Sequence, residues 1–574
     1  MTTAMRWAPA TAEAAVSGVF ASLDLHVADM VARRAGVGDP VFATAVALAA
    51  KAVRLEHVCV DVDALGIGLL WTSDEGEPVA APEPSALLAA LVAAGPVVEV
   101  VAEGADVAES GDAPIVLSGT RCYLRRYALL EQQVAARLRA DGDLPALDGV
   151  ETALAALAAS ADASQVAAVR RALHSPVSVI AGGPGTGKTT TIALLLQVLR
   201  SLDAPLVVAL ATPTGKAATR LDQAVRLAMG DDETIPRAQT LHRLLGIGRD
   251  GVVRGRRLLE ADVVVVDEAS MVSLPILAEA LGRTRPDARV VLVGDPDQLA
   301  SIEVGAVLSD IVEAAASPSS GVAVSVLETP HRFAEAAGVA ELAAAVRSGG
   351  LAAVDTAVAE HPAQLALHAP DARRDEVVEH VVAHAASVIE AARAGDASRA
   401  LGLVSALGVL CATRRGDGST EWWRREIERH LVDRGVLRLR DADYVGRPLL
   451  VTRNDPLTGL TNGSVGVVVA DRTGRAAVFD AGTFPVAAVS AAETVWALTI
   501  HKSQGSEYDE VVVSLPGPES PILTRELVYT AVTRSRRAVT ILCPPGTLEV
   551  ALARRVARSS GLAARLRTGA PTGG

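Results

Sequence analysis

The sequence predicts an α/β protein with two parallel-sheet domains, preceded by a mainly helical N-terminal domain and carrying a small inserted β-barrel. Three observations lead there. From about Gln165, short runs rich in Val, Ile and Leu (Val177–Ala181, Leu206–Thr212, Val263–Asp267, Val290–Gly294) alternate with helical patterns, as in a parallel sheet covered on both faces. A second set of such runs recurs at Leu403–Ala412, Val511–Leu515 and Val539–Cys543. The length of 574 residues also exceeds the size at which one hydrophobic core stops growing.

Taken in chain order, residues 1–115 form the first unit, an expected partner-docking domain. Thr11–Ala35, Val41–His57 and Pro84–Ala94 read as amphipathic helices, followed by apolar runs such as Val97–Val101. A Gly/Asp-rich stretch at Gly104–Pro114 marks its boundary, and a helical segment, Tyr123–Ala140, leads into the first parallel-sheet domain, residues 116–335. The second parallel-sheet domain spans 336–567. Within it, residues 446–491 contain short strands with Asn462-Gly463 and Thr473-Gly474 turns, which predicts an inserted, SH3-like β-barrel. Residues 568–574 read as a disordered tail.

The net charge is -13, which argues against a protein that coats nucleic acid through bulk positive charge. The acidity is local: residues 1–115 hold 16 acids and 5 bases. No apolar run is long enough for a membrane span, and the N-terminus lacks a signal-peptide pattern, so a cytoplasmic protein is expected. Cys59, Cys122, Cys411 and Cys543 stand far apart with no CxxC pair, and read as buried small hydrophobes. Only four lysines occur, Lys51, Lys188, Lys216 and Lys502. In so arginine-rich a chain, a surviving lysine points to a site that needs a compact ammonium on a flexible stem.

Lys188 stands in the first such site. Gly182-Gly183-Pro184-Gly185-Thr186-Gly187-Lys188-Thr189 satisfies G-x-x-x-x-G-K-[ST], follows an apolar strand and opens the helix beginning at Thr190. Its glycines let backbone amides turn around a phosphate, Lys188 reaches the β and γ oxygens, and Thr189 ligates Mg²⁺. The cofactors expected are therefore ATP and Mg²⁺. The run Val263–Val266 ends in Asp267 and Glu268, placing Asp267 on the metal and Glu268 on the attacking water. Two acids after a strand often only cap a helix, but downstream of a phosphate loop the metal reading prevails. A third strand delivers Gly294-Asp295-Pro296-Asp297-Gln298 to the sheet edge where ligand loops gather, and there Gln298 can sense the γ-phosphate.

Other segments suit phosphodiester contacts: Thr212-Pro213-Thr214-Gly215-Lys216, Thr240-Leu241-His242, and Thr499-Ile500-His501-Lys502-Ser503-Gln504-Gly505. Arg332, in His331-Arg332-Phe333, and Arg534 could each reach a γ-phosphate across a cleft, although a lone arginine is more often a surface ion-pair partner.

The ordered set of Gln165, GGPGTGKTT, TPTGKAATRL, TLHRLLG, VVVDEASM, GDPDQLASIEVGAVL, HRF, TIHKSQGSEYDEVV and ELVYTAVTRSRR resembles superfamily 1 helicases of the 5′→3′ branch. More narrowly it is similar to the RecD family, alpha subunits of the RecBCD helicase–nuclease, over about residues 160 to 567. The resemblance implies two RecA-like motor domains that close on ATP, with catalytic roles for Lys188, Asp267, Glu268, Gln298, Arg332 and Arg534. It implies that Gln165 reads adenine and that Thr190 and Gly505 belong to the nucleotide site. It also implies that Thr212, Pro213, Thr214, Lys216, Thr240, His242, Asn462, Thr499, His501, Lys502 and Ser503 contact DNA. Implied partners are single-stranded DNA, duplex DNA ends, and RecB-like and RecC-like subunits in a heterotrimer, with no membrane. Residues 246–261, with Arg249, Arg254, Arg256 and Arg257, read equally as a short basic strand-separating pin or as a solvated loop. A self-sufficient 5′→3′ helicase without partners is the alternative reading. An ATP-regulated scaffold without movement fits less well, since Asp267, Glu268 and Arg534 are intact.

Overall fold

The computed structural model describes residues 11–568 except 13–14, 16, 65–70, 72–81, 141–143, 158–160, 203–205, 231–234, 249–254, 256, 301–302, 318–319, 329–335, 439–442, 456, 472–473 and 557. Arg332, most of the expected pin including Arg249, Arg254 and Arg256, and residues 569–574 of the expected tail lie outside the described residues.

The N-terminal domain packs three helices, Ser22–Ala35, Pro40–Arg54 and Pro84–Ala93, on a four-stranded mixed sheet. Its strands are β1 (Val60–Asp61), β2 (Val98–Val101), β3 (Ile115–Ser118) and β4 (Arg121–Leu124), in the order β1-β4-β3-β2. Asp39 caps the central helix by accepting from the Val41 amide, with Pro40 opening its first turn. Phe42, Leu48, Leu87 and Ile115 fill the core. Pairing of β3 with β2 moves the boundary from the expected residue 115 to beyond Leu124.

The first parallel-sheet domain is a six-stranded, wholly parallel sheet. It comprises β5 (Val177–Gly182), β6 (Val208–Thr212), β7 (Ala238–Thr240), β8 (Val263–Val266), β9 (Arg289–Gly294) and β10 (Ala323–Leu327). Their order is β10-β5-β9-β8-β6-β7. β5, β8 and β9 are buried along their whole length, which is why they are continuous apolar runs rather than alternating ones. One face carries helices 163–174 and 188–201, the other helices 125–139, 274–283 and 307–315.

The second parallel-sheet domain is a five-stranded sheet of β11 (Leu365–His368), β12 (Leu407–Cys411), β18 (Leu498–Thr499), β19 (Tyr508–Ser514) and β20 (Ser535–Leu542), ordered β11-β20-β19-β12-β18. Between β12 and β18 the chain inserts β13 (Pro448–Leu450), β14 (Val465–Asp471), β15 (Gly474–Phe479), β16 (Gly482–Pro485) and β17 (Glu493–Thr494), all antiparallel. Their order is β16-β15-β14-β13-β17. The insert is a five-stranded antiparallel sheet in which β14, β15 and β16 follow as a meander and the chain returns through the short helix Val486–Val489 to pair β17 with β13, so that its last strand neighbours its first.

The C-terminal helix Leu562–Thr568 departs from expectation too. It leaves the second parallel-sheet domain and places Leu562 and Leu566 in the core of the first. All four cysteines are buried and free. Among the described residues no helix is long and apolar enough to cross a membrane.

Candidate functional site: a nucleotide cavity between two motor domains

The parallel sheet sends the loops after β5, β6, β8 and β9 to one edge. The phosphate loop leaves β5, and Gly185 and Gly187 hold φ of +77° and +84°, a region glycine enters without strain. Gly187 immediately precedes the helix Lys188–Ser201, so the loop's amides and the helix N-terminus converge on one anion site. A Cβ on Gly182 would stand 2.5 Å from Thr186 Oγ1, a cradle that side chains would fill. Lys188 Nζ donates to the carbonyls of Gly182 and Gly183 at 2.7 and 2.8 Å, so its ammonium arches over the loop.

These residues line a cavity of about 300 Å³ together with groups from both motor domains. Pro184, Gly185, Gly187, Lys188, Thr189 and Thr190 come from the phosphate loop, Asp267, Glu268 and Gln298 from neighbouring loops, and Arg534 from the second domain. Gly182 and Gly183 face an adjoining cavity of about 780 Å³ that shares Gln298. Burial, then the neighbouring Glu268, pushes the Asp267 carboxyl up to about 6, against the opposing pull of the Glu268 amide and Lys188. An acid so crowded favours a cation beside it. Glu268 holds φ +55°, a left-handed conformation that is strained for a non-glycine residue and typical of working sites. The donor set of Thr189 hydroxyl, Asp267 carboxylate and phosphate-loop amides fits Mg²⁺ and a nucleoside triphosphate.

Arg534 is 3% exposed. Burial pulls its ionisation down, while Glu268 and Glu507 hold it charged. Its nitrogens donate to Thr530 O at 3.1 Å, Ser506 O at 3.4 Å and Thr533 Oγ1 at 3.4 Å, which aims the side chain across the cleft. Asp295 is fully buried and accepts from Gln298 Nε2 at 3.0 Å and from the Tyr529 hydroxyl at 3.1 Å. Burial and Asp295 both raise the Tyr529 phenol well above its ordinary range, keeping it a donor. The Leu299 amide donates to Thr530 Oγ1 and Gln504 Nε2 donates to Leu299 O, at 2.9 and 2.8 Å. The loop that carries Gln298 is thus stitched to the second domain.

Three residues expected at the nucleotide lie off the cavity linings: Thr186, whose hydroxyl donates to Gly183 O at 2.9 Å, Gln165 and Gly505. Gln165 is buried in the first turn of helix 163–174, where its Oε1 accepts from the Asp162 amide at 3.4 Å. Gly505, at φ +72°, faces Thr214 and Ala217 of the first domain.

The residues expected on DNA divide by exposure. His242, Asn462 and Lys502 are exposed, Lys502 with an ion pair to Glu493 at 3.0 Å. Thr499 and Lys502 line a basic hollow of about 440 Å³ with Arg414 and Arg424. His501 is half-buried, and that burial lowers its ionisation. Thr214 and Thr240 cap helices, accepting from the Ala217 and Arg243 amides. Thr212, with Pro213 beside it, and Ser503 turn inward, donating to Thr214 O and Ile500 O, because short hydroxyls at strand and turn ends satisfy backbone first. Lys216 lies in the seam, donating to Ser506 Oγ at 2.7 Å. Burial, then Arg220, lowers its ammonium to about 8.

Sequence reasoning assigned no role to Asp295, Tyr529, Arg220 or Glu507. Each sits inside a quoted motif, but its partner lies in the other domain and leaves no local pattern. Arg220 and Glu507 form an ion pair across the cleft and both line the nucleotide cavity.

Residues 160–369 match the AAA domain family, residues 494–542 the UvrD-like helicase C-terminal domain, and residues 16–123 the N-terminal domain of RecBCD enzyme subunit RecD. The chain is 41% identical over 568 residues to RecBCD enzyme subunit RecD of Mycolicibacterium smegmatis, covering 95% of this chain and 97% of that one. It is 38% identical over 573 residues to the RecD subunit of Mycobacterium tuberculosis H37Rv, covering 96% of each. Among solved structures it is similar to the Pif1 helicase from Candida albicans, at a TM-score of 0.40 and 17% identity over 67% of this chain and 94% of that one. Identity of this extent across the whole length, with a RecD N-terminal module in front of the motor, shows that the chain belongs to the RecD family.

Proposed function

We propose that this chain is the 5′→3′ motor of a RecBCD-type helicase–nuclease, an ATP-dependent DNA helicase that works with RecB-like and RecC-like subunits. It acts on duplex DNA ends in recombinational repair, in the cytoplasm, and moves along single-stranded DNA. The observation that carries this reading is the composition of the nucleotide cavity: Lys188, Thr189, Asp267, Glu268 and Gln298 from one motor domain face Arg534 from the other.

Bound MgATP supplies the negative charge that both domains share, and the free energy of its hydrolysis. Lys188 and the loop amides would hold the phosphates, and Thr189 and Asp267 would hold the metal. Glu268 orients water. Arg534 would reach in from the second domain and, together with Arg332, which lies outside the described residues, would favour the closed cleft by its differential contact with the nucleotide. Because Gln298 and Tyr529 share the Asp295 carboxylate, a change at the γ-phosphate passes directly to the helix Arg525–Val532. On the strand side, His242, Asn462 and Lys502 supply exposed polar contacts, and phosphate contacts of this kind grip without reading sequence. Aromatics are only 3% of the chain, so base stacking is a minor part of the grip. The acidic N-terminal domain suits a partner subunit.

The test is steady-state ATP hydrolysis by the purified chain with and without single-stranded DNA, over a salt series. Hydrolysis stimulated by DNA and weakened by salt is expected; hydrolysis indifferent to DNA would refute the motor.

A further inference from the structure

The helix Gly215–Met229 touches two other parts of the molecule within its first two turns, the insert and the segment leading into β19. At its start, a Cβ on Gly215 would stand 2.4 Å from Thr461 of the inserted sheet, and a Cβ on Gly463 would stand 3.5 Å from Lys216. Next, Lys216 Nζ donates to Ser506 Oγ at 2.7 Å. One turn on, and therefore on the same face, Arg220 pairs with Glu507. Ser506 and Glu507 are neighbours leading into β19 of the second motor domain, so two cations one helical turn apart meet two consecutive residues across the cleft.

Charge makes the second of these contacts consequential. Glu507 lines the cavity that, on the motor reading, takes the triphosphate of a nucleotide, and its side chain is 11% exposed. An enclosed carboxylate there repels the nucleotide unless it is neutralised. Arg220 does so from the first domain, and Arg536, at 3.4 Å, assists from the second. Arg220 is in turn close enough to act electrostatically on Asp267, Arg534 and Lys216. An exposed ion pair contributes little, but one with an enclosed partner leaves a stranded charge when broken.

Building on the motor reading above, we propose that the Arg220–Glu507 pair is a positioning latch of the ATPase cycle, made when the two motor domains close. With Lys216–Ser506 on the same helix, the latch ties closure at the nucleotide to the DNA-facing end of the first domain. Arg220 and Glu507 are positioning residues: they act by setting where Arg534 stands relative to Lys188 and Glu268.

The test is DNA-stimulated ATP hydrolysis by the full chain carrying Arg220→Glu, Glu507→Arg, or both, with thermal melting of each. Each single reversal is expected to lower kcat about tenfold while KM for ATP stays within about twofold, and the double reversal to recover most of the loss. Singles with unchanged kcat would overturn the latch. So would a folded double variant no better than the worse single, since Arg220 would then act on phosphate by itself. Should a reversal fail to fold, Arg220→Gln and Glu507→Gln replace it: equal, non-additive losses in the pair support the latch, and additive losses overturn it. Wild-type hydrolysis indifferent to DNA counts against the motor reading, whereas a DNA-stimulated wild type with no recovery in the swap sinks the latch alone.

Discussion

Lys188 shows how far single residues were legible. Its role follows from a contiguous motif, because phosphate binding needs glycines, a lysine and a hydroxyl within one loop. The structure adds only the direction of the ammonium, over Gly182 and Gly183. Lys188→Ala is accordingly expected to leave folding intact and to lower hydrolysis at least about a hundredfold, measured by phosphate release alongside a thermal melt; turnover near the wild-type value would contradict the assignment. Lys51, by contrast, is buried and donates to Val19 O at 2.8 Å, so scarcity of lysine marked a structural site as well as functional ones. Gln165 and Ser503 each satisfy nearby backbone in this structure, a choice that sequence does not reveal. His57 is a residue that no motif announced. Burial, then Arg558, lowers its ring to about 4, and its Nδ1 accepts from the Ser559 amide at 2.9 Å. A histidine with a depressed folded value contributes stability that is present above its unfolded value near 6.5 and is lost as pH falls towards 4. Glu56 and Asp310, raised by burial at the same seam, change in the opposite sense, so only comparison with His57→Asn isolates the imidazole. The wild type should lose stability relative to that variant between pH 6.5 and 4 in urea titrations; a constant difference would count against it.

At the scale of elements, the strands of both motor sheets were readable because each is buried on both faces and therefore continuous in Val, Ile and Leu. Short or half-buried strands were not. The N-terminal sheet escaped notice because β1 holds two residues and β2 exposes Val100, giving no regular period to detect. The inserted module announces itself by its short strands and turn residues, but the return of β17 to pair with β13 is a long-range contact that no local pattern encodes. One contact between elements can be tested directly. Gly215→Val places new atoms against Thr461 and the strand-facing turn of the insert, an overpacking worth about 1–3 kcal/mol. It is expected to weaken binding of a labelled single-stranded oligonucleotide in fluorescence anisotropy, and Thr461→Gly in the same chain should restore part of the loss. Unaltered affinity in Gly215→Val would place this junction off the DNA path.

Across the whole molecule, the domain order was legible and the path of the C-terminus was not. After the second motor domain, the chain returns as a strap along the seam between the N-terminal and first motor domains. Arg558 pairs with Glu56 and donates to Gly305 O, Ser559 O accepts from the Val58 amide, and Ser560 and the Gly561 amide both donate to the buried Glu131. Arg565 adds a hydrogen bond to Ala105 O. A chain ending at Arg554 loses Leu562 and Leu566 from the first motor core and strands Glu131 without these partners. It should be destabilised by at least about 3 kcal/mol in chemical denaturation, and an unchanged midpoint would show that the strap is ornamental.

The central claim concerns direction, and the measurement that reaches it most directly is the arrival time of the ATP-driven chain on single-stranded oligonucleotides of increasing length, labelled at one end, with Lys188→Ala as control. The account predicts a lag that lengthens with the strand for the 3′-end label, as the motor runs 5′→3′, and none for the Lys188→Ala chain. A length-dependent lag at the 5′ end instead, or vigorous DNA-stimulated hydrolysis with no length dependence at either end, would contradict it.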